Sequence, residues 1–398
     1  MSDLFKPAWD VLQAEVDAQR LAGVSAAVMQ HGQLIGSFCT GQASLETAEA
    51  LRPDHIHRAF SNTKLMTSVL VLQLLDAGEL ALDDPISRWI PGFATVQVLQ
   101  PGAAHIGDTE PLQTPITVRH LLTHQAGLSH GVFDPGTVIY NAYHAAGVRR
   151  PDTTLAEMVE ALSSLPLLYQ PGQGWEYACG CDVLGRLIEL ITGQRFGDAL
   201  QSRLFGPLGM VDTGFVLRPD QVPRLLALYR GDVNDVMRPG LTRLDNTPWP
   251  NAYVQPAARQ SGAGGAFTTQ ADMLALLRSL MPGQPSLLKP DTLATLYTDQ
   301  VPPERSVQFL HTGAVPSLGF GLGGALTRRA SRLGGPQSVG ELQWGGLAGT
   351  HWFISPATGL AGVLMTQRFM GFWHPFWFTF KQQVYDAVAR ANPSGSSA

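Results

Sequence analysis

Ser61-Asn62-Thr63-Lys64 places a hydroxyl and an amine three residues apart. Positions i and i+3 share one face of a helix, so the lysine amine can stand beside the serine oxygen. A free serine hydroxyl is a poor nucleophile and needs an adjacent base. Lysine can fill that role where burial or nearby cations weaken its hold on a proton. A helix start also offers unpaired backbone N–H groups, which places the Ser61 N–H to help hold an oxyanion. Taken alone, the same four residues read more readily as a helix-capping serine followed by an exposed lysine. Context favours chemistry: Ala59 and Phe60 precede the motif and a long apolar stretch follows, so it sits where a core helix emerges.

Other reactive residues carry weaker signals. Cys179-Gly180-Cys181 has metal-binding residue types but no further ligands at suitable spacing, so the expectation is two small, partly buried thiols, with Cys179 near the cleft and no metal. His124 is available as a general base only if it reaches the proton to be moved. The chain has no G-x-S-x-G elbow; Ser261-Gly262-Ala263-Gly264-Gly265 comes nearest, and its glycines suit close backbone packing. The aromatic residues Phe369, Phe372, Trp373, Phe376, Trp377 and Phe378 either line an acyl pocket or pack the last helix on a sheet, and packing is expected for most. Trp352 and Phe353 alternate on a strand, so at most one faces a cleft.

The elements that must position these residues follow from local patterns. Residues 24–44 read as a β-hairpin turning at His31-Gly32-Gln33, and a helix is expected from Ser61 to about Ala77, closed by Gly78. Leu4, Trp9, Leu12 and Val16 fall on one face of an N-terminal helix. A helix begins within ITVRHLLTH. Thr154 and Glu157 form a capping box for the next one, and CDVLGRLIELITG is amphipathic up to Gly193. The stretch 222–260 is irregular and rich in Pro and Asn, consistent with long surface or cleft loops. LQWGG, LAGTHWFIS and LAGVLMTQ read as strands, the last two joined by a turn at Pro356–Gly359. A final helix covers HPFWFTFKQQVYDAVARA. Strands at both ends with helices between them predict one sheet built from both termini, flanked by helices, with a mostly helical insertion. The expected division is an α/β sheet domain over 1–82 and 258–398, a helical domain over 83–257, and a disordered tail over 393–398.

Bulk properties narrow the function. Of 398 residues, 44% are hydrophobic and 15% charged, which suits a compact globule. The net charge of −5 is spread along the chain without a basic run, so neither nucleic acid nor an anionic membrane is expected as a partner. The apolar run Leu65 to Leu75 is interrupted by Thr67, Ser68 and Gln73 and falls short of the roughly 20 residues that span a bilayer. The N-terminal segment is charged throughout, with no apolar leader core, which makes cytoplasmic the expected location. Nothing in the sequence specifies an oligomeric state.

Several segments, in order along the chain, resemble the class C β-lactamases and the related family VIII carboxylesterases. FSNTK with GELALDDPISRWIP is similar to their nucleophile region. ITVRHLLTHQAGL is similar to their LLTHTSGL segment, with Gln125 and Ala126 as departures. YQPGQGWEYACGCDVLGRLIELITG resembles the stretch that carries their tyrosine. LFGPLGMVDTGF, SGAGGAFTTQADMLAL and ELQWGGLAGTHWFISPATGLAGVLMTQ resemble three later segments. The resemblance implies the β-lactamase/penicillin-binding-protein fold, an α+β arrangement. It implies Ser61 as the acylated nucleophile, with Lys64 and Tyr177 as proton-transfer residues, and it makes His124 structural. Trp344-Gly345-Gly346 falls where the lactamases have K-T-G, so Leu347 is expected to complete an oxyanion hole with Ser61. Cys179 replaces an asparagine, and it and Trp344, Gly345 and Gly346 are expected to contact substrate.

Without the lysine of the triad, binding of a carboxylate such as that of a β-lactam is expected to weaken at this position. The implied activity is a cofactor-free serine carboxylesterase acting on a neutral, small-molecule ester. A β-lactamase, a D-aminoacyl peptidase or an acyltransferase would use the same acyl-enzyme, and a non-catalytic ligand-binding protein of the same fold is the alternative from another class.

Overall fold

The computed structural model describes residues 4–244, 248–249, 251–309 and 313–391. Eight strands form one antiparallel sheet. They are β1 (Gly23–Gln30), β2 (Gln33–Ser44), β3 (Glu49–Ala50), β4 (Leu318–Phe320), β5 (Ala325–Thr327), β6 (Leu342–Gly346), β7 (Thr350–Ser355) and β8 (Leu360–Thr366), in the order β4-β5-β6-β7-β8-β1-β2-β3. The junction is β1 against β8, from Val24 opposite Thr366 to Gln30 opposite Leu360, so both ends of the chain build the sheet as expected. The first hairpin turns on two residues rather than three. His31 and Gly32 both have positive φ, as a tight primed turn requires, and Gln33 already pairs with Gln30.

Seven helices frame the sheet and the site: α1 (Lys6–Asp17), α2 (Thr63–Asp76), α3 (Val118–Leu122), α4 (Leu155–Ser163), α5 (Gly180–Thr192), α6 (Gln270–Leu280) and α7 (Phe376–Ala391). On one face of the sheet, α1 and α7 pack Leu12, Trp377 and Phe380 against Val28, Phe353 and Leu364. Each fully buried large apolar side chain contributes roughly 1.5–3 kcal/mol. Leu12 faces inward as expected, but Leu4 precedes α1 and is 39% exposed; Phe5 is buried instead. On the other face, α6 lies against β1 and β8. α2 is buried on every side from Thr63 to Leu72, which makes it a central rather than an amphipathic helix.

In the helical region the Thr154–Glu157 capping box closes the start of α4, and Gly193 ends α5 at φ +67. A second box, Thr117 with His120, starts α3. One buried apolar cluster runs from Ala27 and Val363 in the sheet through Leu70 in α2 to Leu121 and Leu184, so sheet and helical region share a core. The stretch 222–260, expected as surface or cleft loops, carries two short strands, Tyr229–Arg230 and Thr242–Arg243, buries Tyr229 and Tyr253, and lines a cavity with Trp249 and Arg259. The expected tail, 393–398, lies outside the described residues. Among those residues, no helix is long and apolar enough to cross a membrane.

Candidate active site

The Ser61–Lys64 motif begins not inside the helix, where the sequence reading expects it, but in the turn before it. Phe60–Asn62 form a 3₁₀ turn and α2 starts at Thr63. Phe60 has φ +44, a left-handed conformation that is uncommon outside glycine and is held only by its surroundings. Thr63 supplies part of that hold: its hydroxyl donates to the Phe60 carbonyl at 2.7 Å and accepts from the Ala266 N–H at 3.1 Å. Thr67 donates to the Gly262 carbonyl at 2.8 Å. The 261–265 loop can come this close because Gly262 lacks a side chain; a Cβ there would lie 2.3 Å from the Cys181 carbonyl oxygen.

Ser61, Lys64 and Tyr177 converge on one point. The Tyr177 hydroxyl donates to Ser61 Oγ at 2.6 Å. Lys64 Nζ lies 3.4 Å from the same oxygen, donates to the Ala263 carbonyl at 2.7 Å and stands 4.6 Å from the Tyr177 ring centroid. Lys64 is 3% exposed and Tyr177 6%, so both polar groups sit where charge is weakly screened. Trp344 points its indole N–H at the Tyr177 oxygen at 3.5 Å.

Tyr177 is held by residues that carry no catalytic motif. The His124 ring packs 4.9 Å from it and the His130 ring stacks on it at 5.4 Å and 13°. His124, at φ +60, accepts from the Ala178 N–H through Nδ1 at 3.2 Å and, through its carbonyl, from the Glu176 N–H at 3.0 Å. Burial pushes both imidazoles well below the usual histidine range, Lys64 adding to it in His124 and Arg149 in His130, so both rings are neutral. His124 therefore braces the segment of Tyr177. No sequence signal marks His130; its place comes from packing.

β6 delivers the remaining residues. A Cβ on Gly345 would lie 2.4 Å from His351 Nδ1 on β7, and one on Gly346 would lie 2.4 Å from the Ala59 carbonyl oxygen, so Gly346 lets the strand end pass against the Phe60–Asn62 turn. Ser61, Phe133 and Leu347 border two cavities. One, of about 210 Å³, is apolar and aromatic, with Tyr177, Phe309, Trp344, Gly345, Phe372 and Trp373 in its wall. The other, of about 260 Å³ and the more polar of the two, sets His130, Arg149, Asp182 and Arg259 among apolar residues such as Phe60, Trp249 and Phe369.

Two expected substrate contacts need correcting. Cys179 is fully buried and borders neither cavity; it lies at the foot of α5 within the core, and burial pushes its thiol up to about 12. Gly346 lies behind the wall against Ala59 and Thr350. Among the aromatics, Phe372 and Trp373 line the apolar cavity and Phe369 the polar one, while Phe376 and Trp377 pack in the core. Trp352 and Phe353 point to opposite faces of the sheet and neither reaches these cavities. Among the described residues no group of three or more His, Cys, Asp or Glu is arranged to hold a metal ion, so Cys179 and Cys181 are free buried thiols.

Comparison with known proteins identifies the class to which a chain of this fold belongs. The beta-lactamase family model matches residues 8–374, and the chain belongs to that family. Esterase EstB of Burkholderia gladioli is 32% identical over 382 residues, which cover 92% of this chain and 91% of that one. The lovastatin esterase of Penicillium rubens is 31% identical, covering 88% and 90%. The solved structure of EstCE1, described as a hydrolase with promiscuous acyltransferase activity, superposes with a TM-score of 0.79 at 27% identity, covering 97% and 98%. The chain is accordingly an enzyme of the serine hydrolase type, with the β-lactamase/penicillin-binding-protein fold.

Proposed function

We propose that this enzyme is a carboxylesterase of the family VIII kind, which hydrolyses small-molecule esters through an acyl-enzyme on Ser61. The observation that carries the reading is the 2.6 Å contact between the Tyr177 hydroxyl and Ser61 Oγ, with Lys64 Nζ at 3.4 Å. As the Ser61 oxygen bonds to the ester carbonyl carbon, its single proton passes to the deprotonated member of the Tyr177–Lys64 pair, which holds it for the leaving group. The N–H groups of Ser61 and Leu347 hold the oxyanion. The bond to the alcohol oxygen then breaks, and Tyr177 protonates the departing alcohol. Water, activated by the same pair, attacks the acyl-enzyme and frees the acid. No step calls on a cofactor.

Trp344 supports an ester over a β-lactam. Where the lactamases carry a cation, this chain offers the edge of a neutral indole in an aromatic wall. The test is a panel of short-chain esters, amides and cephalosporins assayed in parallel on wild type and Ser61→Ala. Ester turnover should dominate and should vanish in Ser61→Ala; cephalosporin turnover as fast as ester turnover would favour a lactamase. A second reading, acyl transfer, is supported by the apolar cavity beside Ser61, which has room for an acceptor alcohol, and by the described side activity of EstCE1. New ester formed when an alcohol is added would favour it.

A further inference from the structure

The polar cavity beside Ser61 contains charge that the proposed ester hydrolysis does not use. Arg149 and Arg259 both line it. Arg259 donates to the Val148 carbonyl at 3.1 Å and to Thr153 Oγ1 at 3.0 Å. Arg149 is half-buried and, among the described residues, has no hydrogen-bond or ion-pair partner. The acidic group in this wall, Asp182, is already engaged: Oδ1 accepts from Ser261 Oγ at 2.6 Å and from the Ala263 N–H at 3.2 Å. Two guanidiniums thus face one carboxylate in a cavity that opens on the nucleophile. An unpaired, half-buried guanidinium is costly unless an anion meets it, and its planar fork suits a carboxylate.

We infer that this cavity binds a carboxylate on the acyl half of the substrate, so that the preferred esters are half-esters of linear dicarboxylic acids. The assignment of halves rests on the proposed mechanism. Tyr177 protonates the leaving alcohol and lines the aromatic cavity but not the polar one, so the alcohol occupies the former and the acyl chain the latter. The anion is therefore read in the cavity that Trp344 does not line, which is compatible with the absence of a lysine at 344.

Monobenzyl adipate and benzyl hexanoate have the same acyl length and the same alcohol, and differ by one terminal carboxylate. With both followed by release of benzyl alcohol, wild type should favour the half-ester in kcat/KM. Arg149→Gln should lower the half-ester to hexanoate ratio by about tenfold or more, and Arg149→Lys should restore part of it. Free adipate should compete with benzyl hexanoate in wild type, a readout that needs no variant to fold. An unchanged ratio in Arg149→Gln, no competition by adipate, or a ratio that responds only for 4-carboxybenzyl hexanoate would overturn the inference. If benzyl hexanoate is turned over normally in those cases, the esterase reading survives; absence of any ester turnover removes both.

Discussion

The indole N–H of Trp344 reaches the hydroxyl of Tyr177 at 3.5 Å, so a neutral donor faces the tyrosine oxygen from β6. The contact is long for a hydrogen bond and its strength accordingly modest. Trp344→Phe removes the donor and keeps the aromatic wall. It should lower kcat for a neutral ester by less than about tenfold and leave KM within about threefold. Steady-state kinetics on one aryl ester decide the matter, and a loss as large as that of Tyr177→Phe would show that the donor is essential.

Gly346 lets β6 touch the nucleophile turn. In Gly346→Ala the new methyl would meet both the Ala59 carbonyl oxygen and Thr350 Oγ1 at 2.4 Å. One of these atoms is backbone immediately before Phe60, so the strand or the turn must move. Urea unfolding should show a loss of about 1–3 kcal/mol, as for other overpacked sites. Ester turnover of the folded variant should fall by about tenfold or more, because a displaced turn misaligns Ser61 with its oxyanion donors. Unchanged turnover would mean that Gly346 serves packing alone.

Glu176, next to Tyr177 in sequence, is partly buried, and burial with a contribution from Asp134 pushes its carboxyl up to about 7. A group with a raised value in the folded state binds more protons folded than unfolded. Its favourable contribution is complete below the ordinary glutamate range and is lost as pH rises towards 7. Glu176→Gln removes this penalty. The variant should exceed wild type in unfolding free energy by about 1–3 kcal/mol at pH 8, a range reduced because the residue keeps some contact with water. The advantage should disappear near pH 4. An equal difference at both pH values would show that ionisation is not its source.

What could be read from sequence follows the range of the interactions involved. Ser61 and Lys64 are legible because a three-residue spacing brings their side chains together even though Ser61 lies in the 3₁₀ turn that leads into α2. The central sheet is legible because each hairpin is a local pattern, although only pairing reveals that β1 joins β8. Tyr177 is recognised through the segment around it. By contrast, His124 and His130 reach the tyrosine ring only after the helical region has packed, and Arg149 and Arg259, far apart in the chain, meet only in the cavity wall. The left-handed φ of Phe60 leaves no trace in residue type. Cys179 and Gly346 depart from expectation for a related reason: a position in a motif places the backbone, while what that position faces depends on the core behind it.

The central claim is that Ser61 carries the acyl group, and mass spectrometry of quenched enzyme tests it most directly. Wild type mixed with a p-nitrophenyl ester, stopped in acid during turnover and digested, should show the acyl mass on the peptide containing Ser61. Tyr177→Phe, slowed in transferring the proton, should form that adduct about a hundredfold or more slowly. Ser61→Ala should show none. An acyl group on another residue, or full turnover by Ser61→Ala, would contradict the account.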